Sequence, residues 1–167
     1  IGVAITDATE TDPTRGTWYY STDAGVTWKS FGTAASDFGV VSLTHALLLR
    51  ATDLVEYVPA ANFNTNGTLA PAPTLTFAAW DQTTAVEPVQ LQILPLGPGS
   101  AANLVQIGQG ASTPFSTTSG TATLSISAVD SPPHITLPPG SFVTNELVPI
   151  SFSGANAPVL SDPDINE

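Results

Sequence analysis

Residues 17–28 read TWYYSTDAGVTW, and this segment is the clearest local indication of the type of fold. Two short aromatic segments flank the turn sequence Ser-Thr-Asp-Ala-Gly at residues 21–25. The carboxylate of Asp23 can accept hydrogen bonds from turn amides, and Gly25 can adopt a positive φ without steric cost. The stretch therefore predicts a β-hairpin.

Short strand-like segments recur through the rest of the chain, at residues 2–6, 16–21, 27–31, 46–50, 54–58, 74–80, 90–94, 121–129 and 148–152. Fifteen Pro and thirteen Gly separate them and leave little room for a helical period. Residues 97–120 are rich in Gly, Ser and Thr, so we expect a long exposed loop or a loose edge excursion there. The pattern predicts an all-β fold, an antiparallel sandwich. The core candidates are Trp18, Tyr20, Trp28, Leu47, Leu49, Val58, Phe77, Leu124, Ile126 and Phe152.

The composition narrows the possible functions. Fourteen carboxylates stand against three cations, for a net charge of −11, which excludes the basic surface that nucleic acids or anionic membranes need. Hydroxyl-bearing and small residues replace charges, as in β-rich secreted proteins, so we expect an extracellular or cell-surface location. There is no Cys, so disulfides and thiolate metal sites are excluded. The apolar runs are strand-sized, and no membrane insertion is expected.

The sequence contains no clear motif of catalytic residues. His45 and His134 lie far apart in the sequence and beside no nucleophile motif. Residues 21–28 match the S-x-D-x-G-x-T-W pattern of the Asp box, which recurs in sialidase propellers as a structural hairpin. A sialidase would carry several such boxes and an arginine cluster, whereas this chain has only Arg15 and Arg50. We therefore expect no enzymatic activity.

Acidic residues near the C-terminus suggest a metal site. The segment SDPDINE at residues 161–167 places Asp162 and Asp164 on a proline-stiffened turn, which suits the oxygen ligands that calcium prefers. Asp130 and Glu146 could join them. The alternative is a solvated acidic tail.

Several blocks together resemble the cadherin-like repeats of very large bacterial surface proteins, including adhesins. The blocks are residues 16–28, 46–53, 57–64, 75–83 and a closing strand at 122–129, in the order in which such repeats carry them. The resemblance covers most of residues 1–133 and implies an immunoglobulin/cadherin-like antiparallel β-sandwich.

The resemblance also implies calcium as cofactor. Asp81, in Ala-Trp-Asp, is similar to the family's A-x-D ligand, and Asp162 and Asp164 are similar to its D-x-D pair. Glu146 takes the place of the leading glutamate. The linker keeps only Asp130 where the family has Asn-Asp, which weakens the expected linker site.

The order of the pieces departs from the family. Residues 134–167 resemble the opening strands of a repeat, yet they come last. We therefore predict a sandwich at residues 1–131 that lacks its opening strands, followed at 132–167 by a linker and the opening strands of the next repeat. The chain is either one period of a covalent array or a separate subunit whose C-terminal strands complete its neighbour. A boundary set without regard to domains is the third explanation.

The expected function is structural. The chain is predicted to be a non-catalytic repeat of an extracellular surface adhesin or filament, assembled head to tail with copies of itself and stiffened by calcium. The alternative is a carbohydrate- or cell-surface-binding module, in which exposed Trp18, Trp28 or Trp80 and residues 97–120 would contact glycans.

Overall fold

Extended strands dominate the computed structural model, which describes residues 1–66, 71–83, 97–110 and 112–162. The chain forms two units, Ile1–Ser127 and Ala128–Glu167. The first contains β1 (Gly2–Ala8), β2 (Gly16–Ser21), β3 (Lys29–Phe31), β4 (Ala46–Arg50), β5 (Leu54–Pro59), β6 (Thr74–Trp80), β7 (Ala101–Ala102), α1 (Leu104–Ile107) and β8 (Phe115–Thr123). The second contains β9 (His134–Thr136), a 3₁₀ turn at Gly154–Asn156 and β10 (Val159–Ser161). The strand predicted at residues 90–94 lies outside the described residues.

Two antiparallel sheets build the first unit. The larger has the strand order β7-β4-β1-β6-β8, and the smaller has the order β3-β2-β5. In the larger sheet, Ile5 of β1 lies opposite Leu47 of β4 on one side and Phe77 of β6 on the other. The prediction of an all-β, antiparallel fold is confirmed. Within the described part of the chain, no helix is long and apolar enough to cross a membrane.

The two sheets share one apolar core. The smaller sheet contributes aromatic side chains, and the larger contributes aliphatic ones. The buried residues of this core are Trp18, Tyr20, Phe31 and Tyr57 from the smaller sheet, Ile5, Leu47, Leu49 and Leu75 from the larger, and Val41 from the segment before β4. The rings of Trp18 and Tyr57 pack edge to face at 4.9 Å between centroids. Burying a large apolar side chain stabilises the fold by about 1.5 to 3 kcal/mol, so this cluster holds the sheets together.

A second core covers the opposite face of the larger sheet. Trp80 and Leu48 point to that face and pack against Leu104 of α1 and Phe115 of β8. The strand β4 is therefore buried on both faces, which explains its unbroken apolar sequence. The expectation of a long exposed loop at residues 97–120 is wrong, because β7, α1 and the buried start of β8 lie there. The alternative of an edge excursion agrees with the structure in that β7 and β8 are the two edge strands of the larger sheet.

The core predictions are confirmed only in part. Trp18, Tyr20, Leu47 and Leu49 are buried, and Trp28, Phe77 and Ile126 are partly buried. The prediction is wrong for three residues that are exposed, namely Val58, Leu124 and Phe152. Val58 lies on an edge strand, and Leu124 follows the end of β8 at Thr123, earlier than the predicted strand end at residue 129.

The second unit is a hairpin with little packing. Strand β9 pairs with β10, and Leu160 lies opposite Ile135. None of residues 128–162 is buried. The strand predicted at residues 148–152 does not form. The large apolar side chains that are exposed in the second unit are Val129, Ile135, Leu137, Phe142, Val143, Leu147, Val148, Phe152, Val159 and Leu160.

Candidate functional site

The predicted hairpin joins β2 to β3 through a turn held by side chains. The carboxylate of Asp23 accepts hydrogen bonds from the backbone N–H of Thr27 at 2.9 Å and from its hydroxyl at 2.6 Å. The buried hydroxyl of Ser21 accepts the N–H of Gly25 at 2.9 Å, and Gly25 has a φ of 87°. The predicted roles of Asp23 and Gly25 are confirmed, and this motif acts in the fold.

An ion pair connects this turn with the loop between β4 and β5. The guanidinium of Arg50 donates to the carboxylate of Asp53 at 2.7 Å and also to the backbone oxygen of Thr22 at 2.8 Å. The Asp53 carboxylate is almost fully buried. One of the chain's three cations therefore serves to join two loops of the first unit.

A second polar turn, at residues 30–39, was not predicted from the sequence. The backbone N–H and the hydroxyl of Ser30 both donate to the carboxylate of Asp37, at 2.7 Å and 2.8 Å. The oxygen of Ser30 accepts the N–H of Phe38 at 3.0 Å. The turn therefore occupies the outer edge of β3.

A buried acid lies at the end of β1. Glu10 is 8% exposed, has a φ of 55°, and pairs with Arg15 at 3.2 Å. Burial, together with the negative charge of Glu10, raises the pKa of Tyr57 to about 12. Within the described residues the Tyr57 hydroxyl has no hydrogen-bond partner. No sequence pattern predicts this cluster, because Glu10 stands in an ordinary turn sequence.

The predicted calcium ligands are distributed over both units. Asp81 belongs to the first unit, where its Oδ1 accepts the N–H and the hydroxyl of Thr83 at 2.8 Å and 2.6 Å. These hydrogen bonds lower its pKa. Asp130 and Glu146 are exposed in the second unit, and Asp162 is half-buried there.

Asp164 lies outside the described residues. Among those that are described, no three His, Cys, Asp or Glu side chains lie close enough together to hold a metal ion. Calcium prefers six to eight oxygen ligands. A calcium site therefore stays a prediction.

The two histidines have different surroundings. The Nε2 of His45 lies 3.3 Å from the backbone oxygen of Phe38, and the rings of these two residues pack at 4.8 Å between centroids. His134 is exposed in β9, in the second unit. His45 is therefore an exposed residue of the first unit whose ring packs against Phe38.

The tryptophans are mostly enclosed. Trp18 and Trp80 are buried, and the indole N–H of Trp18 donates to the oxygen of Thr9 at 2.9 Å. Trp28 is half-buried near Gly25. Neither Trp18 nor Trp80 presents a face on which a sugar ring could stack.

An open groove crosses the outer face of the larger sheet. Its lining carries hydroxyl groups, the carboxylate of Asp7 and the amide of Gln109, and it includes Thr76, Thr117 and Ser119. The groups that line it can form hydrogen bonds, but no aromatic side chain stands among its described lining residues.

The free edge of β5 is apolar. Among the described strands, β5 pairs only with β2. The side chains of Leu54, Val55 and Val58 are 42%, 37% and 48% exposed. An apolar edge strand is a surface on which another strand can pair.

No known protein family, curated protein or solved structure matches the chain.

Proposed function

We propose that this chain is a non-catalytic structural unit of an extracellular surface adhesin or filament, with an immunoglobulin/cadherin-like sandwich, that assembles head to tail with its own copies. The observation that carries the proposal is the exposure of the second unit. Leu147, Val143 and Leu160 are among the ten large apolar side chains that stay in solvent there. A segment with this composition is typical of a strand that another molecule covers.

The energetics support this proposal. Ordering one residue of backbone costs about 1 to 2 kcal/mol. A fully buried large apolar side chain returns about 1.5 to 3 kcal/mol. The described part of the second unit buries no side chain fully. The free energy that it gains from burial is therefore too small to offset the entropy cost of ordering its backbone. Contact with a neighbouring copy would supply the missing burial.

In this proposal, calcium ions bind at the junctions between neighbouring copies of the chain. Chains with a net charge of −11 repel one another, and a divalent cation between facing carboxylates removes that repulsion. Asp130, Glu146, Asp162 and Asp164 would supply ligands from one chain, and Asp81 from the next. The site would then be complete only between two chains.

The test is the size of the full chain in solution. Light scattering after gel filtration, at rising protein concentration, should show species at multiples of 17.1 kDa, and electron microscopy should show linear particles. We expect EDTA to shorten them and calcium, but not magnesium at the same concentration, to restore them. A monomer at every concentration, with calcium and with EDTA, would refute the assembly. Lengths that do not change in EDTA would refute the calcium part alone.

The groove on the larger sheet supports a second candidate function, a carbohydrate-binding module. Its hydroxyls, Asp7 and Gln109 are suitable partners for sugar hydroxyls. Glycan-array binding that is lost in Asp7→Asn and Gln109→Ala would favour this function over the structural one.

A further inference from the structure

We propose that the free edge of β5 receives residues 148–152 of a second copy of this chain as an added antiparallel or parallel strand. This inference rests on the proposed function, because it names the contact through which the copies assemble.

The other sheet edges are poor acceptors. The outer edge of β3 is occupied by Asp37 and Phe38, which bond to both backbone groups of Ser30. Strand β7 has two residues. Strand β8 is long, but after Phe115 it presents mainly Ser, Thr, Ala and Gly. Strands β9 and β10 have three residues each. Among the described strands, only β5 combines length with exposed apolar side chains.

The register shows which groups of β5 are free. The N–H of Ala60 donates to the oxygen of Arg15 at 2.8 Å, one position beyond the pair Gly16 and Pro59. Bonded and non-bonded pairs alternate along antiparallel strands. Glu56 and Val58 therefore direct their backbone groups to β2, whereas Val55 and Tyr57 direct theirs to the open edge.

The received segment has a matching pattern. Residues 148–152 read VPISF, so Val148, Ile150 and Phe152 alternate with Pro149 and Ser151. In the single chain the N–H of Val148 donates to the backbone oxygen of Asn145 at 3.1 Å, so Ile150 and Phe152 are the residues whose N–H groups would pair with β5. If they direct their N–H groups to β5, Pro149 points to solvent on the new edge. That is where a strand tolerates proline. Val148 and Phe152 of the segment, and Leu54, Val55 and Val58 of β5, are exposed in the structure of a single chain, so a second copy is the occupant we infer.

Cross-linking between single-cysteine variants tests the contact, because the chain has no cysteine of its own. Val55→Cys is mixed with Ile150→Cys carrying a mass tag, and a short bismaleimide is added to the full-length chains. We expect the mixed dimer to dominate. The matched control is Ser119→Cys with Ile150→Cys, since Ser119 lies on the free edge of β8, and it should give little mixed dimer.

A proline variant provides the second measurement. Val55→Pro removes an N–H that faces away from β2, so the fold should persist, which circular dichroism checks. We expect assembly to weaken about tenfold, the effect of one lost backbone hydrogen bond. Ser119→Pro, at the free edge of β8, should leave assembly unchanged.

Equal cross-linking at Ser119 and Val55, or a folded Val55→Pro that assembles like the parent chain, would overturn this inference and leave the proposed function standing. A parent chain that does not assemble would instead refute the proposed function. If Val55→Pro fails to fold, the cross-linking result alone decides.

Discussion

The hydroxyl of Ser21 lies 2.7 Å from Oδ1 of Asp23 and donates its proton to that carboxylate. Its lone pairs remain free to accept the N–H of Gly25 at 2.9 Å. Asp23 in turn holds Thr27 through two further hydrogen bonds. The two side chains together satisfy the polar groups of the turn, which fixes the relative position of β2 and β3.

Replacing Ser21 should therefore destabilise the first unit. Ser21 is 1% exposed, so Ser21→Ala leaves the N–H of Gly25 without its partner in a buried place. We expect a loss of about 1 to 3 kcal/mol in the free energy of unfolding, measured by urea denaturation. Val26→Ala, in the same turn but exposed, should change it by less than about 0.5 kcal/mol. Equal effects of the two variants would contradict this role of Ser21.

Acid should weaken the same turn. Hydrogen bonds from the Thr27 hydroxyl, the Thr27 N–H and the Ser21 hydroxyl lower the pKa of Asp23 from 3.8 to about 2. Because the folded pKa lies below the unfolded one, the ionised carboxylate stabilises the fold above pH 4, and this contribution is lost as the pH falls toward 2.

Urea denaturation between pH 5 and pH 2 checks this in Asp23→Asn, where the decline should be shallower than in the parent chain. Asp130→Asn removes an exposed carboxylate and is the control. A decline of the same slope in Asp23→Asn and in the parent would show that Asp23 does not cause it.

Removing the Tyr57 hydroxyl should stabilise the fold. The group is buried, and the described residues offer it no hydrogen-bond partner. We expect Tyr57→Phe to raise the free energy of unfolding by about 1 kcal/mol. Tyr19→Phe, on a half-buried ring, should have little effect. A destabilised Tyr57→Phe would mean that the hydroxyl has a partner.

Tyr57 should also make the free energy of unfolding depend on pH in alkaline solution. Burial, and next the charge of Glu10, raises the pKa of Tyr57 from 10 to about 12. The folded chain therefore holds the proton more tightly than the unfolded chain, so stability falls as the pH rises from 10 toward 12. Tyr57→Phe should lack this fall in denaturation curves.

Two phenylalanines should separate folding from assembly. Phe115 is buried in the second core, and Phe115→Ala should cost about 3 to 5 kcal/mol of folding free energy. Phe152 is 62% exposed, so Phe152→Ala should leave the thermal midpoint of a dilute sample unchanged and weaken assembly at high concentration. A lower midpoint in dilute Phe152→Ala would contradict the exposure of that ring.

The sequence predicted strands where local patterns specify them. The limits of β2, β4 and β6 agree with the predicted segments, because alternation and bounding turn residues are local signals. Residues 97–120 were misjudged since Ala101 and Ala102 are weak strand formers and α1 has only four residues. Their burial depends on Trp80 and Leu48, which are remote in sequence.

Pairing partners were less predictable than strands. Residues 148–152 alternate as well as β6 does, yet they form no strand, because a strand requires a neighbour that local sequence does not supply. The strand-like sequence of residues 54–58, which includes Val58, does not show that β5 lies at the edge of its sheet. The calcium ligands likewise depend on distances between segments, which spacing along the chain does not determine.

The most direct measurement is hydrogen exchange on the full chain at a dilute and at a concentrated condition, followed by mass spectrometry of short fragments. We expect the amides of Val55 and Tyr57 and those of Ile150 and Phe152 to become protected together as the concentration rises, whereas the amide of Ser119 should not. Unchanged protection of residues 148–152, under conditions where light scattering shows assembled chains, would contradict this expectation.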